Sequence, residues 1–234
     1  MVAYKFLGRG AVGLLSGYAW PAPSEDGPGA WVGDGARDEP SRGGVHACRL
    51  EDLPAWIDDE LYTIELAAPV IERESVLVAP RGRLLRLVEG WTPETARQAA
   101  EACVWRTRDR AVELLRASSL PTAELEASSE LAALQSAAAA QAGAPGPSGT
   151  ACGYVADCVS LLRGARPDEW APDAPAPAVT PGAVAANLGF VAAHIAGFAA
   201  SAGGSSYDGG FEAERAAQRA WLAARLELES RPPA

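Results

Sequence analysis

Lysine is nearly missing from this chain: of its 20 basic residues only Lys5 is a lysine, and the rest are arginine. Against 30 acidic residues they leave a formal charge of −10, which argues against the concentrated positive surface that a nucleic-acid backbone requires. Two local clusters, Arg81, Arg83 and Arg86, and Arg106, Arg108 and Arg110, read as solvated mixed-charge surface. Histidine occurs twice, so general bases of that kind are few. Close cysteine pairs are lacking too: Cys48, Cys103, Cys152 and Cys158 are spaced for neither zinc nor dithiol chemistry. Cys103 and Cys158 fall on apolar helical stripes, where a reduced thiol packs as a small hydrophobe. Long apolar runs are equally scarce. The Ala11 to Leu15 run is too short, and too interrupted by glycine and serine, for a secretion signal. Gly182 to Ala202 approaches the length of a membrane span, but its weight is alanine, with Asn187 and His194 inside, so it reads as a buried helix. The expectation is a cytoplasmic protein with neither nucleic acid nor membrane as partner.

What is abundant is alanine, which contributes little burial per residue, so stability should lean on the seven tryptophans and on Leu, Val and Ile stripes. The periodicity predicts an α+β fold: a small, mainly antiparallel N-terminal sheet over residues 1–90, then an alanine-rich helical region over 91–234. In the first part, Ala3 to Leu7 and Leu61 to Leu66 alternate as strands, the latter with Tyr62, Ile64 and Leu66 on one face. Ala30 to Val32 can start another strand, residues 33–44 read as a loop, and Glu51 to Ile57 reads as a short helix. Ser75 to Ala79 and Arg83 to Glu89 are predicted to form a hairpin through Pro80, Arg81 and Gly82.

Thr92-Pro93-Glu94 begins a helix by capping logic. A second helix is expected from Ala123, or from a cap at Ser128, to Ala142, and a third along Ala151, Val155, Cys158, Val159 and Leu162. Thr180-Pro181 repeats the cap, with a stripe of Val184, Leu188, Val191, Ile195 and Phe198. Beside it, Gly189, Ala193 and Gly197 would let another helix approach closely. The last helix is expected to pack through Ala217, Trp221, Ala224 and Leu228. Linkers are placed near 143–149 and 167–181, where Pro and Gly accumulate.

Candidate chemistry concentrates between Gly43 and Glu65. On a strand His46 and Cys48 would project side by side, a geometry suited to an activated thiolate or to two metal ligands; the bland alternative is a buried thiol beside a hydrogen-bonded histidine. Catalytic candidates are therefore His46, Cys48 and Glu65. Arg49, Trp56, Glu60 and Tyr62 are the ligand-binding candidates, and no cofactor is named by any motif. Gly8-Arg9-Gly10-Ala11-Val12-Gly13 satisfies a dinucleotide-binding spacing, but without a following helix it reads as a glycine-rich turn.

Gly44-Val45-His46-Ala47-Cys48, the acidic connection after it, the Glu60 to Leu66 strand, and the Val76 to Ala79 and Arg83 to Arg86 segments resemble a domain of unknown function. That domain is associated with actinobacterial hypothetical proteins and, more distantly, with phage-encoded ones; Glu214 to Leu222 is similar to the ending of the actinobacterial proteins. This resemblance implies no activity. In element order alone, the strand, turn, Gly-Val-His, short helix and Glu-rich strand resemble the ADP-ribosyltransferase fold. That would imply nucleotide-dependent group transfer around Glu60, Tyr62 and Glu65, although the Glu-x-Glu motif is lacking and Arg9 is a weak match for the first-strand position. The leading expectation is a module that binds a partner protein or small ligand through its N-terminal domain, resting on Arg and Trp residues of hot-spot type. The C-terminal helices offer a route to a homo-oligomer. The alternatives are the transferase and a metal-binding module at His46 and Cys48.

Overall fold

The computed structural model describes residues 1–13, 16–33, 44–164 and 179–228. The chain is α+β and falls into two compact units: Met1–Ala96 with Pro181–Ala186 and Arg219–Ala234, and Arg97–Thr180 with Asn187–Gln218.

The first unit holds two antiparallel three-stranded sheets. One has the order β1 (Val2–Leu7), β3 (Glu60–Leu66), β6 (Gly82–Leu87); the other joins β2 (Val45–Ala47), β5 (Leu77–Ala79) and β4 (Ile71–Glu72) in that order. The alternation read in Glu60–Leu66 is present: Tyr62, Ile64 and Leu66 enter a core with Leu7, Trp20 and Leu84. The opposite face is covered as well, since Leu61 and Thr63 are also buried. There Phe6, the cross-strand partner of Leu61, meets Trp91 edge-on at 5.4 Å. Between Thr63 and Ile64 the β6 register slips by one residue, so that Leu85 bulges out of the ladder.

The predicted hairpin through Pro80 to Gly82 does not form. β5 pairs with β2 and β4, whereas β6 pairs with β3. The connecting backbone is held by other partners: Gly82 exchanges hydrogen bonds with Val32, and the Arg81 carbonyl accepts from Ala67. Ala30 to Val32 accordingly supplies one bridge, at Val32. The short helix appears as a 3-10 turn, Leu50–Ala55. Residues 34–43 of the predicted loop lie outside the described residues.

The helices are α1 (Pro93–Ala117), α2 (Ala123–Ala127), α3 (Leu131–Gln141), α4 (Pro147–Leu162), α5 (Pro181–Ala202) and α6 (Tyr207–Leu226). The Thr92 cap is made, its hydroxyl accepting from the Thr95 amide at 3.1 Å. The single helix expected over 123–142 is instead α2 and α3. The Ser128 hydroxyl donates back to the Glu124 carbonyl at 2.7 Å, and Arg108 donates to the carbonyls of Leu125 and Ser128, so side chains satisfy the groups a break exposes. The linker expected at 143–149 is a tight turn that is already helical from Pro147. Ser148 is buried and donates to the Leu114 carbonyl. A Cβ on Gly149 would lie 1.9 Å from the Ala144 carbonyl oxygen, so glycine is there for close packing. Of the second linker, residues 167–178 lie outside the described residues.

On α5 the small-residue stripe packs as expected. A Cβ on Gly197 would meet the Tyr207 ring at 2.6 Å, and one on Gly189 the Gln218 side chain at 3.2 Å. Phe198, expected in the core, is 45% exposed, because alanines and glycines supply most of the inward face. On α6 the buried stripe is Glu214, Gln218, Leu222 and Leu226, while Ala217 and Ala224 are exposed. Two polar residues take inward positions because they have partners: Glu214 accepts from Arg106 at 2.7 Å, and Gln218 donates to the Gly189 carbonyl at 2.8 Å. α5 is the one helix among the described residues long and apolar enough to cross a membrane, with 44% of its most apolar window buried in the protein.

Candidate functional site

The residues singled out between Gly43 and Glu65 all lie in the first unit, but they do not converge. β2 is a short edge strand on which His46 faces outward, while Cys48 beyond it bridges to β1 and is buried. The two side chains are therefore not side by side, because the regular strand ends at Ala47. The Cys48 thiol donates to the Tyr4 carbonyl at 3.5 Å, and burial, followed by the Asp52 charge, pushes its pKa far upward. Burial and an upward shift are the opposite of the setting that activates a thiolate. His46 has its pKa lowered, first by partial burial and then by the Lys5 charge. Among the described residues no group of three or more His, Cys, Asp and Glu side chains has the arrangement to hold a metal ion.

Arg49 and Trp56 bracket the 3-10 turn and fasten it to the segment after β4. Arg49 donates to Asp52 at 2.7 Å, to Glu72 at 3.1 Å and to the Glu74 carbonyl at 2.7 Å. The Trp56 indole donates to the Ser75 carbonyl at 2.6 Å. These contacts hold the turn in place by internal hydrogen bonds.

Glu60 and Tyr62 explain the glycine-rich turn. The turn closes through Gly8 and Val12, with Gly10 and Ala11 both at positive φ, 72° and 57°. Successive amides in such a conformation form a concave anion-binding nest. The anion is Glu60, which accepts from Gly10 at 2.9 Å, from Ala11 at 2.8 Å and from the Tyr62 hydroxyl at 2.8 Å. A spacing associated with phosphate is thus occupied by the chain's own carboxylate. Glu65 is likewise engaged, paired across the sheet with Arg83 at 2.7 Å.

Lys5 was not picked out by the sequence reading. It sits on β1 with its ammonium donating to the His46 carbonyl at 2.6 Å and 4.8 Å from the Trp20 ring; burial pulls its pKa down to about 8.

An outward-facing group in this unit is Trp31 with Arg81 and Arg83, whose guanidinium carbons stand 5.2 and 4.9 Å from its ring centre. Arg81 and, further along β6, Arg86 are exposed. The signal available in the sequence was the spacing of Arg81 and Arg83, which points alternate residues to one side; the arrival of Trp31 beside them depends on the Val32 to Gly82 bridge.

No family profile, curated protein or solved structure matches the chain, and the resemblance to an actinobacterial domain rests on its motif residues alone.

Proposed function

We propose that this protein is a binding module whose N-terminal unit engages an anionic partner, an acidic protein segment or a small anionic ligand, at the Trp31, Arg81 and Arg83 surface. The observation that carries this reading is the cation-π group itself, with the Arg81 and Arg83 guanidinium carbons 5.2 and 4.9 Å from the Trp31 ring centre. An indole beside two guanidiniums combines the residue types that dominate binding hot spots, and arginine presents a planar fork that pairs with carboxylates or phosphates. Among the described residues Glu65 pairs with Arg83 and not with Arg81. Arg49, Trp56, Glu60 and Tyr62 are committed to internal partners. Four buried free cysteines favour a reducing, cytoplasmic setting. The transferase alternative gains no comparable observation, since Glu60 and Glu65 are both engaged within the fold.

A glutamate-rich peptide titrated into the full chain tests this, with a lysine-rich peptide as control and tryptophan fluorescence as readout. Saturable binding that weakens with salt and disappears in Arg81→Glu and Trp31→Ala is expected. Equal response to both peptides, or unchanged binding in both variants, refutes the assignment.

A further inference from the structure

Three of the four phenylalanines and one of the two histidines of the chain gather on α5 and α6, within the second unit. On α5, Phe190, His194 and Phe198 recur every fourth residue and so share a face. On α6, Tyr207, Phe211 and Arg215 do the same. The two helices run antiparallel: Phe198 lies beside Tyr207 at 5.4 Å, His194 beside Phe211 at 5.4 Å, and Gly189 binds Gln218. Rings also meet along each helix, Phe190 with His194 at 4.1 Å on α5 and Tyr207 with Phe211 at 6.3 Å on α6, where the Arg215 guanidinium stands 5.4 Å from the Phe211 ring; the Tyr207 hydroxyl reaches His194 Nδ1 across the pair. Despite these contacts Phe190 is 51% and Phe198 45% exposed. α5 carries no Asp, Glu, Lys or Arg along its 22 residues, in a chain whose net charge otherwise makes copies repel one another.

We infer that this face is a self-association surface and that its occupant is a second copy of the same chain, packed antiparallel about a two-fold axis at the level of His194 and Phe211. The pattern is self-complementary about that level. Phe190 and Phe198 stand about 6 Å along the axis on either side of His194, so a two-fold places Phe190 of one copy against Phe198 of the other. On α6, exposed Asp208 and half-buried Arg215 stand on either side of Phe211, about 10 Å apart, so the same operation sets the acid of one copy beside the arginine of the other. Apolar and ionic patterns are satisfied by one axis, as an isologous interface demands. A bilayer or an unrelated apolar helix would cover the rings but would not bring Asp208 of one copy beside Arg215 of the other.

Light scattering after size exclusion, on the full chain from low to high micromolar concentration, measures the mass. A concentration-dependent dimer is expected. Phe190→Glu with Phe198→Glu should give a monomer with unchanged helical circular dichroism, because both rings are exposed, and Asp208→Arg should raise the dimer Kd about tenfold. A wild-type monomer throughout overturns the inference, as does a double variant that still dimerises. Unchanged affinity in Asp208→Arg overturns the antiparallel packing, and a monomer that partitions onto neutral phosphatidylcholine vesicles assigns the face to a bilayer instead. Binding of the glutamate-rich peptide should persist in the monomeric variant, so the two assignments stand or fall separately.

Discussion

Glu60 accepts hydrogen bonds from the consecutive amides of Gly10 and Ala11, and this contact, between residues about fifty apart in the chain, anchors the glycine-rich turn to the central strand. Alanine at a φ of 57° is a conformation that L residues adopt at a cost, so the turn depends on the carboxylate that fills it. Glu60→Ala should therefore destabilise the protein by about 2–3 kcal/mol, the range for losing charge-assisted hydrogen bonds and leaving partly buried donors unpaired. Urea unfolding followed by circular dichroism measures this; a change below about 0.5 kcal/mol, typical of an unremarkable surface substitution, would mean the turn holds itself.

Lys5 supplies a pH dependence with a definite sign. Its folded pKa, about 8, lies below the ordinary lysine value of 10.5. Between those values the unfolded chain binds more protons than the folded one, so this group makes stability rise as pH increases from about 8 to 10.5. Below that window its buried charge is a penalty. Reductive ¹³C-methylation labels one side chain, the sole lysine, besides the terminal amine; its resonance should titrate near 8, and Lys5→Met should remove the rise. A midpoint above 10 would show that the ammonium is solvated.

Arg106 and Glu214 form the ion pair on which the inward polar stripe of α6 depends. Glu214 is 2% and Arg106 26% exposed at the side chain. Glu214→Ala strands the guanidinium, with an expected loss of about 3 kcal/mol, the lower end of the range for a half-broken buried pair because Arg106 retains some solvent. The double change of Arg106 and Glu214 to apolar residues should cost less than Glu214→Ala alone. Thermal and urea unfolding of the three variants decide the point.

Cys48, Cys103, Cys152 and Cys158 are all buried and free. Burial raises the pKa of each, to about 11 for Cys103 and about 12 for Cys158. None should react with iodoacetamide in the native protein at neutral pH, and all four should react after unfolding. Rapid native alkylation of Cys48 would contradict its burial.

Several elements were legible locally. The Thr92-Pro93 start of α1 could be read because capping is decided by neighbours in sequence, and the alternation of β3 because one face must be apolar. The Gly189, Ala193 and Gly197 stripe announced a close helix approach, which Tyr207 and Gln218 make. The hairpin failed because turn composition permits a reversal without choosing the strand that pairs. Partner choice lay with Val32 and β2, both distant in sequence. The stripe on α6 was misread because Glu214 and Gln218 look solvent-facing until Arg106 and the Gly189 carbonyl are beside them. The bonding at the candidate site was not legible for the same reason: Arg49, Glu60 and Tyr62 advertise chemistry by type, and only their neighbours show that each is engaged.

The sequence by itself determined the α+β class, the place where strand gives way to helix, and the acidic, lysine-poor surface, because periodicity, caps and net charge are properties of short windows or of composition. Tertiary structure decided that Glu60 fills the glycine-rich turn, that Cys48 is buried, that Trp31 meets Arg81 and Arg83, and that Phe190 and Phe198 face outward. Each of these depends on which distant groups are brought within hydrogen-bonding or van der Waals reach, and on how much water is left around them, and neither is encoded in the order of nearest neighbours.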